Sequence, residues 1–386
     1  MSLGLSERHV SVQQSEIRNM STECRRINGI NLAQGVCDTP VPEAVLAGAA
    51  EAIRSGINSY THYAGLERLR EAIALKTERF CGMRYNPDTE VIVSAGATGA
   101  LYCAFQALLN PGDEVLLFEP FYGYHITTLQ AAGAVPVPVP LHIPDWSFSA
   151  DDLERAINPG TRGIIVNTPA NPCGKVFSLA ELELIASIAQ QHDLFVFTDE
   201  IYEHFIYGQH QHHSIAALPG MSERTLTISG SSKTFSVTGW RIGYLLCDER
   251  WARTIGYFND LIYVCAPAPL QAGVACGMLE LGRDYYTGLA TTYEQKRNRF
   301  CSALARAGLQ PHVPDGAYYV LADVSALPGA TAKERAMHIL HQTGVASVPG
   351  SAFYRDHLGE GVVRFCFAKE DAVLEEACSR LQQLPG

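Results

Sequence analysis

Several features that would point to common classes of protein are missing from this sequence of 386 residues. It has no run of basic residues and a formal net charge of −11, which argues against binding to nucleic acid or to an anionic membrane surface. No charge-free stretch is long enough to cross a membrane, and the first residues contain no apolar signal core. The GxGxxG motif of nicotinamide dehydrogenases is also absent. We therefore expect a soluble, cytoplasmic protein without nucleic-acid or membrane partners.

The sequence also lacks any CxxC pair, although it contains 11 cysteines. Several of them fall inside apolar helical patterns, where a cysteine behaves as a small buried apolar residue. We therefore predict free thiols in a reducing compartment rather than a framework of disulfides or metal ligands.

What is present is a large apolar fraction, 47% of the residues, which is enough for one large domain and a smaller one. Between residues 91 and 199, short apolar runs such as "EVIVSAG", "RGIIVNTP" and "LFVFTDE" alternate with helical patterns. This alternation predicts an α/β fold with a parallel sheet covered on both faces. The pattern changes past about residue 275, where we expect a smaller α+β domain that also takes up the N-terminal segment.

Ligands of open parallel sheets bind beyond the carboxyl ends of the strands, so the strand ends are where functional residues are expected. In "EVIVSAGATGALYCAF", a predicted strand turns through glycine into a helix. The amides of Ala97 and Thr98 at that helix start, with the Thr98 hydroxyl, would form an anion site. A turn of small residues that serves only tight packing is the alternative.

Two further strand ends carry polar residues. In "IIVNTPANPCGKVF", Pro172 restricts the backbone of Asn171 and fixes where its amide points. In "LFVFTDEIYEHF", Asp199 ends a buried strand and Tyr202 follows three residues later. An acid buried there needs a cation or a donor as partner. The alternatives are a capping asparagine in a turn and an aspartate that caps the next helix.

Lys233 follows Ser231 and Ser232 after another predicted strand, and Arg241 comes eight residues later. A lysine in a partly desolvated pocket has a lowered pKa and can form a Schiff base, whereas arginine suits a phosphate. Near the C-terminus, "GVVRFCFA" places Arg364 within an apolar strand, where a substrate carboxylate or an internal salt bridge would neutralise it.

In this order, the residues resemble the class I/II aminotransferases, which include aspartate, aromatic and kynurenine aminotransferases. The most specific match is "SKTFSVTGWRIGY" at residues 232–244, and "NTPANPCGKVF" and "TDEIYEHFIY" add independent matches. The resemblance implies an enzyme of fold type I that depends on pyridoxal 5′-phosphate (PLP). It further implies a large domain with a mostly parallel seven-stranded sheet flanked by helices, at residues 40–275. Both chain ends, residues 1–39 and 276–386, would form the smaller α+β domain.

The resemblance also implies roles around the cofactor ring. Lys233 would form the Schiff base, Asp199 would pair with the pyridine nitrogen, and Asn171 and Tyr202 would hydrogen-bond the phenolic oxygen. Lys233, Asp199 and Tyr202 are thus the expected catalytic residues. Tyr122 matches the aromatic residue that stacks on the ring.

Further residues match positions that hold the phosphate and the substrate. The phosphate would be held by Ala97, Thr98, Ser231 and Arg241. Tyr60 matches a tyrosine that reaches the phosphate from the neighbouring subunit, which implies a homodimer with shared sites. Arg364 would bind the substrate α-carboxylate, and Gly35 and Asn171 would line the substrate.

The expected reaction is the transfer of the amino group of a neutral, aromatic or large apolar L-amino acid to a 2-oxo acid. Between residues 101 and 125 there is no lysine or arginine of the kind that dicarboxylate-specific relatives use, and Gly230 replaces a common phosphate-binding serine. The alternatives are a PLP-dependent β-lyase or an enzyme like aminocyclopropane-carboxylate synthase, and a non-catalytic PLP-binding sensor.

Four histidines are left without an assigned function. His210, His212 and His213 lie close together in "YGQHQHHS", which we interpret as a solvated loop rather than a metal site. His62 either lines the entrance of the pocket or has a structural role.

Overall fold

A computed structural model describes residue 4, residues 15–356 and residues 358–384. Its helices are α1 Glu16–Arg26, α2 Glu43–Arg54, α3 Glu67–Cys81, α4 Gly96–Leu108, α5 Gly123–Ala132, α6 Ala150–Ala156, α7 Leu179–Gln191, α8 Glu249–Tyr263, α9 Ala268–Glu280, α10 Arg283–Arg306, α11 Ala332–Thr343 and α12 Asp371–Leu381. Its strands are β1 Ile30–Asn31, β2 Val91–Ala95, β3 Glu114–Glu119, β4 Val135–Pro140, β5 Thr161–Asn167, β6 Phe195–Asp199, β7 Thr225–Gly230, β8 Ile242–Leu246, β9 Gln310–His312, β10 Tyr319–Asp323, β11 Val345–Ala346, β12 Val348–Pro349 and β13 Val362–Cys366. None of the helices in these ranges is long and apolar enough to cross a membrane.

A seven-stranded sheet in the order β2-β8-β7-β6-β5-β3-β4 forms the centre of the molecule. Its strands pair in parallel, except that β8 runs antiparallel to both of its neighbours. The strands β2, β3, β5 and β6 are almost entirely buried because helices cover both faces, as the continuous apolar runs predict. The α/β architecture expected from the sequence is confirmed.

The C-terminal part of the chain forms a second sheet, which is antiparallel and has the order β12-β13-β10-β9. The N-terminal segment packs on this part, because β1 pairs with β11 and the buried side chains of Met20 and Cys24 on α1 share a core with Phe365 and Leu374. The exact division of the chain at residues 40 and 275 stays a prediction. All 11 cysteines carry free thiols, as predicted.

Side-chain caps fix where several helices begin. Ser178 accepts a hydrogen bond from the Glu181 amide at the start of α7, and the Glu181 carboxylate accepts one from the Ser178 amide in return. Thr331 and Glu334 form the same reciprocal pair at α11. Each pair satisfies two amides that the first turn of a helix leaves without partners.

Strand β8 lies directly against the start of α4, where one glycine makes the close approach possible. A methyl group at position 243 would lie 2.4 Å from the carbonyl carbon of Gly96 and 2.5 Å from the amide nitrogen of Ala97. Both are backbone atoms of the first two residues of α4, so they cannot move aside as a flexible side chain would. Gly243 therefore fixes the distance between β8 and the turn before α4.

We expect Gly243→Ala to lower the free energy of unfolding by about 1–3 kcal/mol, because overpacking forces backbone shifts. The matched control is Gly288→Ala on the exposed face of α10, where a methyl group would contact nothing within 4 Å. Alanine there should stabilise the helix by about 0.5–1 kcal/mol. Urea unfolding followed by circular dichroism measures both, and an equal response of the two variants would contradict this account of β8 packing.

Candidate active site

A cavity of about 500 Å³ lies at the carboxyl edge of the parallel strands and is closed from the other side by α1, β10 and β13. This volume is within the range of sites for small molecules, roughly 300–1,000 Å³. The residues predicted from the sequence that line it are Gly35, Ala97, Thr98, Tyr122, Asn171, Asp199, Tyr202, Lys233, Arg241 and Arg364. Two others lie elsewhere: Ser231 is buried just behind Ser232, which does line the cavity, and Tyr60 is 80% exposed on the surface.

Asp199 occupies the end of β6, next to Asn167 at the end of β5. Its Oδ2 lies 2.9 Å from Nε2 of His125, and both side chains are buried. Its Oδ1 accepts a hydrogen bond from the Ile201 amide at 3.2 Å. Asp199 therefore has the hydrogen-bonding partners that a buried carboxylate requires.

Lys233 follows β7 and reaches into the cavity, where its Nζ donates a hydrogen bond to the Gly35 carbonyl at 3.0 Å. Burial lowers the pKa of its amine, and the nearby cations Arg241 and Arg364 lower it further, against an opposing effect of Cys37 and Cys366. A lysine amine with a lowered pKa is uncharged, and thus nucleophilic, in a larger fraction of molecules at neutral pH.

Tyr202 and Tyr319 share a hydrogen bond of 2.9 Å between their buried hydroxyls. Burial raises the pKa of Tyr202 well above its usual value, and Tyr319 raises it further. Tyr202 therefore stays a phenol and acts as a donor or acceptor of hydrogen bonds. Gly35 lies against this pair, since a methyl group at position 35 would meet the Tyr319 hydroxyl at 1.9 Å.

Arg364 is 1% exposed and lies on β13 beneath the cavity. Its Nη1 donates to Asn171 Oδ1 at 2.9 Å and its Nη2 donates to the Ala33 carbonyl. The guanidinium also stacks on Tyr319, with 4.3 Å between its central carbon and the ring centroid. The described part of the chain offers it no carboxylate, and its buried Nε has no hydrogen-bond partner there. A buried arginine with these partners is suited to binding an anion.

The opposite side of the cavity is suited to a second anion. The amides of Ala97 and Thr98 belong to the first turn of α4, where backbone donors have no helical acceptor. Behind them, the buried Ser231 hydroxyl has no partner among the described residues. Arg241 completes this side, and a methyl group on Gly96 would meet its Nη2 at 2.3 Å.

The sequence has glycine at position 230, where the resemblance led us to expect a serine, and the sheet shows why a larger residue does not fit. It pairs with Gly243 across β7 and β8, and a Cβ at position 230 would lie 2.9 Å from both the Gly243 Cα and the Ile242 carbonyl oxygen. A serine at this position would therefore push the two strands apart. The hydroxyl of Ser231, one residue later, is left as the buried donor on this side.

Several residues that line the cavity were not predicted from the sequence. His125 lies three residues after Tyr122, and their rings are perpendicular with centroids 5.4 Å apart. Tyr319, in "GAYYVLADV", and Arg18 on α1 approach from parts of the chain far from the strand ends. A histidine close behind the predicted "FYGYH" aromatic position could have been noticed, whereas no local pattern marks the other two.

The loop that contains His210, His212 and His213 is only partly solvated, so the interpretation from the sequence is partly wrong. His212 is only 10% exposed, and its Nε2 lies 2.9 Å from Glu200 Oε2. Together, His212, Glu203 and Cys81 place potential ligand atoms within 4.8 Å of one another. The Lys76 ammonium, however, already donates a hydrogen bond to Glu203 and supplies the positive charge there. We therefore assign this cluster a structural role.

The other three histidines singled out in the sequence, His62, His210 and His213, are not among the described residues that line the cavity. His210 Nε2 lies 3.1 Å from Asp315 Oδ1 at a partly exposed site. His62 is exposed, and its Nδ1 accepts a hydrogen bond from the Ala64 amide at 3.2 Å. Of the two interpretations of His62, the structural one fits these contacts.

Comparison with known proteins gives consistent matches over nearly the whole chain. Residues 27–381 match the family model described as aminotransferase class I and II. The chain is 37% identical over 377 residues to a probable N-succinyldiaminopimelate aminotransferase of Mycobacterium tuberculosis, covering 95% of this chain and 94% of that protein. It is 33% identical to the kynurenine–oxoglutarate transaminase of Dictyostelium discoideum, covering 93% and 91%. The solved structure of N-succinyldiaminopimelate aminotransferase from M. tuberculosis matches with a TM-score of 0.95 at 36% identity, covering 99% of this chain and 100% of that one.

The buried Lys76–Glu203 ion pair generates a prediction about stability. Lys76→Met leaves the Glu203 carboxylate buried without its cation, so we expect a loss of about 3–5 kcal/mol at pH 7. Lys76 counteracts the burial that would raise the pKa of Glu203 and holds it at about 2, below the ordinary 4.5. The pair therefore stabilises the protein fully above pH 4.5, and this contribution is lost as the pH falls toward 2.

Urea unfolding at pH 7 and pH 4 measures this effect, and the difference between Lys76→Met and the unmodified chain should shrink at the lower pH. The control is Lys333→Met, which removes an exposed ion pair with Glu16 at 3.2 Å and should cost less than about 1 kcal/mol. A similar small cost for both variants would refute the assignment.

Proposed function

The chain belongs to the class I and II aminotransferase family, and from this premise we propose which of its residues carry the reaction and which substrates they accept. The protein is a PLP-dependent transaminase of fold type I. The family, the fold class, the cofactor and the transaminase function predicted from the sequence are thus confirmed. The roles of individual residues below are our proposal.

We assign the phosphate of PLP to the Ala97 and Thr98 amides, the Ser231 hydroxyl and Arg241. The unpartnered buried hydroxyl of Ser231 supports this assignment, because an isolated donor at that depth costs stability unless a ligand accepts from it. The start of α4 adds oriented amides and the positive end of the helix dipole. The residues present therefore fit an anionic group on this side of the cavity.

The other cofactor residues surround the position that remains for the ring. Asp199 would hold a proton on the pyridine nitrogen, and His125 keeps the carboxylate oriented through its contact of 2.9 Å. Tyr122 would stack on the ring, while Asn171 and Tyr202 would hydrogen-bond its phenolic oxygen. When bound, PLP supplies an electron sink for the charge that develops at the substrate Cα.

Lys233 has two tasks in this proposal. Its Nζ would hold the cofactor covalently, for which the lowered pKa supplies an uncharged amine. As a free amine within the same cavity, Nζ would also move the proton that leaves the substrate Cα. An amine with a pKa closer to neutrality can both accept and release this proton.

Arg364 would bind the α-carboxylate of both substrates, and its unpartnered Nε is the single observation that most supports the proposal. A planar guanidinium matches a carboxylate with two parallel hydrogen bonds. Asn171 and the Gly35 backbone orient this end of the substrate, since Asn171 bonds to Arg364 and the Gly35 carbonyl to Lys233.

We propose a neutral donor, aromatic or large and apolar, and a 2-oxo acid acceptor. The cavity wall combines Ile17, Val36 and Tyr124 with the aromatic ring of Tyr122, which suits an uncharged side chain. The kynurenine–oxoglutarate relative supports the same pairing, because its name joins an aromatic amino acid with a dicarboxylic 2-oxo acid.

We further propose a homodimer in which Tyr60 completes the phosphate site of the partner. The segment around Tyr60 packs on the end of α8, since the Thr61 amide donates to Cys265 Sγ at 3.4 Å and the rings of Tyr63 and Tyr257 lie 5.6 Å apart. Around this contact lies an exposed apolar patch formed by Tyr60, Tyr257, Leu261, Ile262 and Val264. An exposed cluster of this kind is typical of a protein interface.

Two further parts of the proposal concern location and domains. The 11 free thiols support a reducing compartment and hence the cytoplasm. The seven-stranded sheet is separate from the four-stranded sheet and from the β1–β11 pair, which supports a large domain at residues 40–275 and a smaller one from residues 1–39 and 276–386.

The role of Lys233 is tested with Lys233→Ala. We expect this variant to lose the visible absorbance of lysine-bound PLP and to transaminate at least about 10³-fold more slowly, because both covalent attachment and proton transfer are removed. The assay adds L-amino acids to the holoenzyme and follows the loss of this absorbance band. A 2-oxo acid is then added to restore the band. The control variant Lys333→Ala changes an exposed side chain and should retain both the absorbance band and the turnover rate of the unmodified enzyme. Full turnover by Lys233→Ala would disprove the proposed mechanism.

The dimer is tested with Leu261→Glu in the apolar patch, where the side chain is 79% exposed in the single chain. Burying this charge at an interface is costly, so we expect monomers in sedimentation analysis and a loss of activity of at least about tenfold. Ile143→Glu is the control, since Ile143 is 64% exposed near β4 at the opposite edge of the sheet. A fully active unmodified monomer would rule out shared sites.

A further inference from the structure

One cation that lines the cavity has no role in the proposed reaction. Lys233, Arg241 and Arg364 are each assigned to the cofactor or the α-carboxylate. Arg18, in the first turn of α1, also lines the cavity but is exposed. Its guanidinium has no ion pair or hydrogen bond with any residue in the described ranges.

Helix stability does not account for Arg18. The N-terminal end of a helix carries a partial positive charge, so a cation in the first turn is slightly unfavourable there. The cap of α1 is provided instead by Ser15, which accepts a hydrogen bond from the Ile17 amide at 3.3 Å, and by the acidic Glu16. Neither the cap nor the charge at the helix end accounts for Arg18, whose side chain borders the cavity.

We propose that Arg18 binds the second carboxylate of a dicarboxylic substrate, above all of a dicarboxylic 2-oxo acid acceptor, and so determines acceptor specificity. This inference rests on the proposed function, because it takes Arg364 as the partner of the α-carboxylate. Once Arg364 holds one carboxylate, the second needs another cation or donor as it leaves water. Among the described residues that line the cavity, Arg18 is the cation left for it.

The neighbours of Arg18 allow a neutral donor to use the same cavity. Ile17 and Tyr124 supply apolar contact area at the rim, and the arginine stem itself can cover an apolar side chain. Because Arg18 is exposed, its guanidinium stays hydrated when no second carboxylate is bound. A buried unpaired arginine at this position would instead penalise every neutral substrate.

A second argument for Arg18 is that the α4–α5 side of the cavity has no lysine or arginine at residues 101–125. This side therefore supplies no such cation. His125, the titratable group on that side, is engaged by Asp199 at 2.9 Å. Recognition of a second carboxylate is thereby left to the α1 side of the cavity.

The test compares two acceptors with one neutral donor: 2-oxoglutarate, and 2-oxohexanoate, which has a similar length and an uncharged side chain. In Arg18→Met holoenzyme we expect kcat/KM for 2-oxoglutarate to fall about tenfold, mostly through KM, because a partly exposed charge-assisted contact is lost. The value for 2-oxohexanoate should stay within about twofold, since that acceptor makes no such contact. Arg18→Lys keeps the charge and should recover a large part of the loss.

Calorimetric titration of the holoenzyme with glutarate and with pentanoate gives a readout independent of turnover. Tighter binding of glutarate that disappears in Arg18→Met, and that weakens with added salt, would support the inference. Equal losses for both acceptors, or unchanged kinetics with 2-oxoglutarate, would overturn it while leaving the transaminase assignment intact. Failure of the unmodified enzyme to aminate either acceptor would instead overturn the proposed function, and this inference with it.

Discussion

The reversal of strand β8 is the constraint on which most of the site depends. Strand β7 ends at Gly230 at the carboxyl edge of the sheet, and β8 returns antiparallel to it from Ile242. The connection must therefore turn at that edge, which places Lys233 and Arg241 beside Asp199. The same return brings Gly243 against the start of α4, so that strand pairing and the anion-binding turn are set by one close contact.

The polar groups in the cavity differ in whether they have hydrogen-bond partners within the described chain. Asp199 is held by His125 and by a backbone amide, so its carboxylate is oriented before any ligand binds. Arg364 Nε and the Ser231 hydroxyl instead are buried donors without a hydrogen-bond partner among the described residues. Unsatisfied donors cost stability in the free protein, and this cost is recovered when anions bind. The arrangement is thus preorganised for a ligand with two negative ends.

The sequence allowed the central sheet and most of the cavity wall to be predicted because both depend on local patterns. Asp199 and Lys233 lie directly after apolar strands, and the ends of parallel strands meet at one edge. His125 and Tyr319 were missed because their contacts join elements far apart in the chain, 74 residues in one case and 117 in the other. His212 was misjudged because the pattern of the loop does not show its contact with Glu200, 12 residues earlier.

A transaminase imposes a particular demand on such a cavity, because donor and acceptor occupy the same place in turn. The features common to both are an α-carboxylate and a reacting carbon. The first is met by the buried Arg364 and the second by the half-buried Lys233. The feature that differs is the far end of the side chain, and a buried charge there would favour one substrate at the expense of the other. A hydrated arginine on the first turn of α1, next to an apolar wall, reduces this conflict. Its charge is available to a carboxylate and adds little cost when the side chain is neutral.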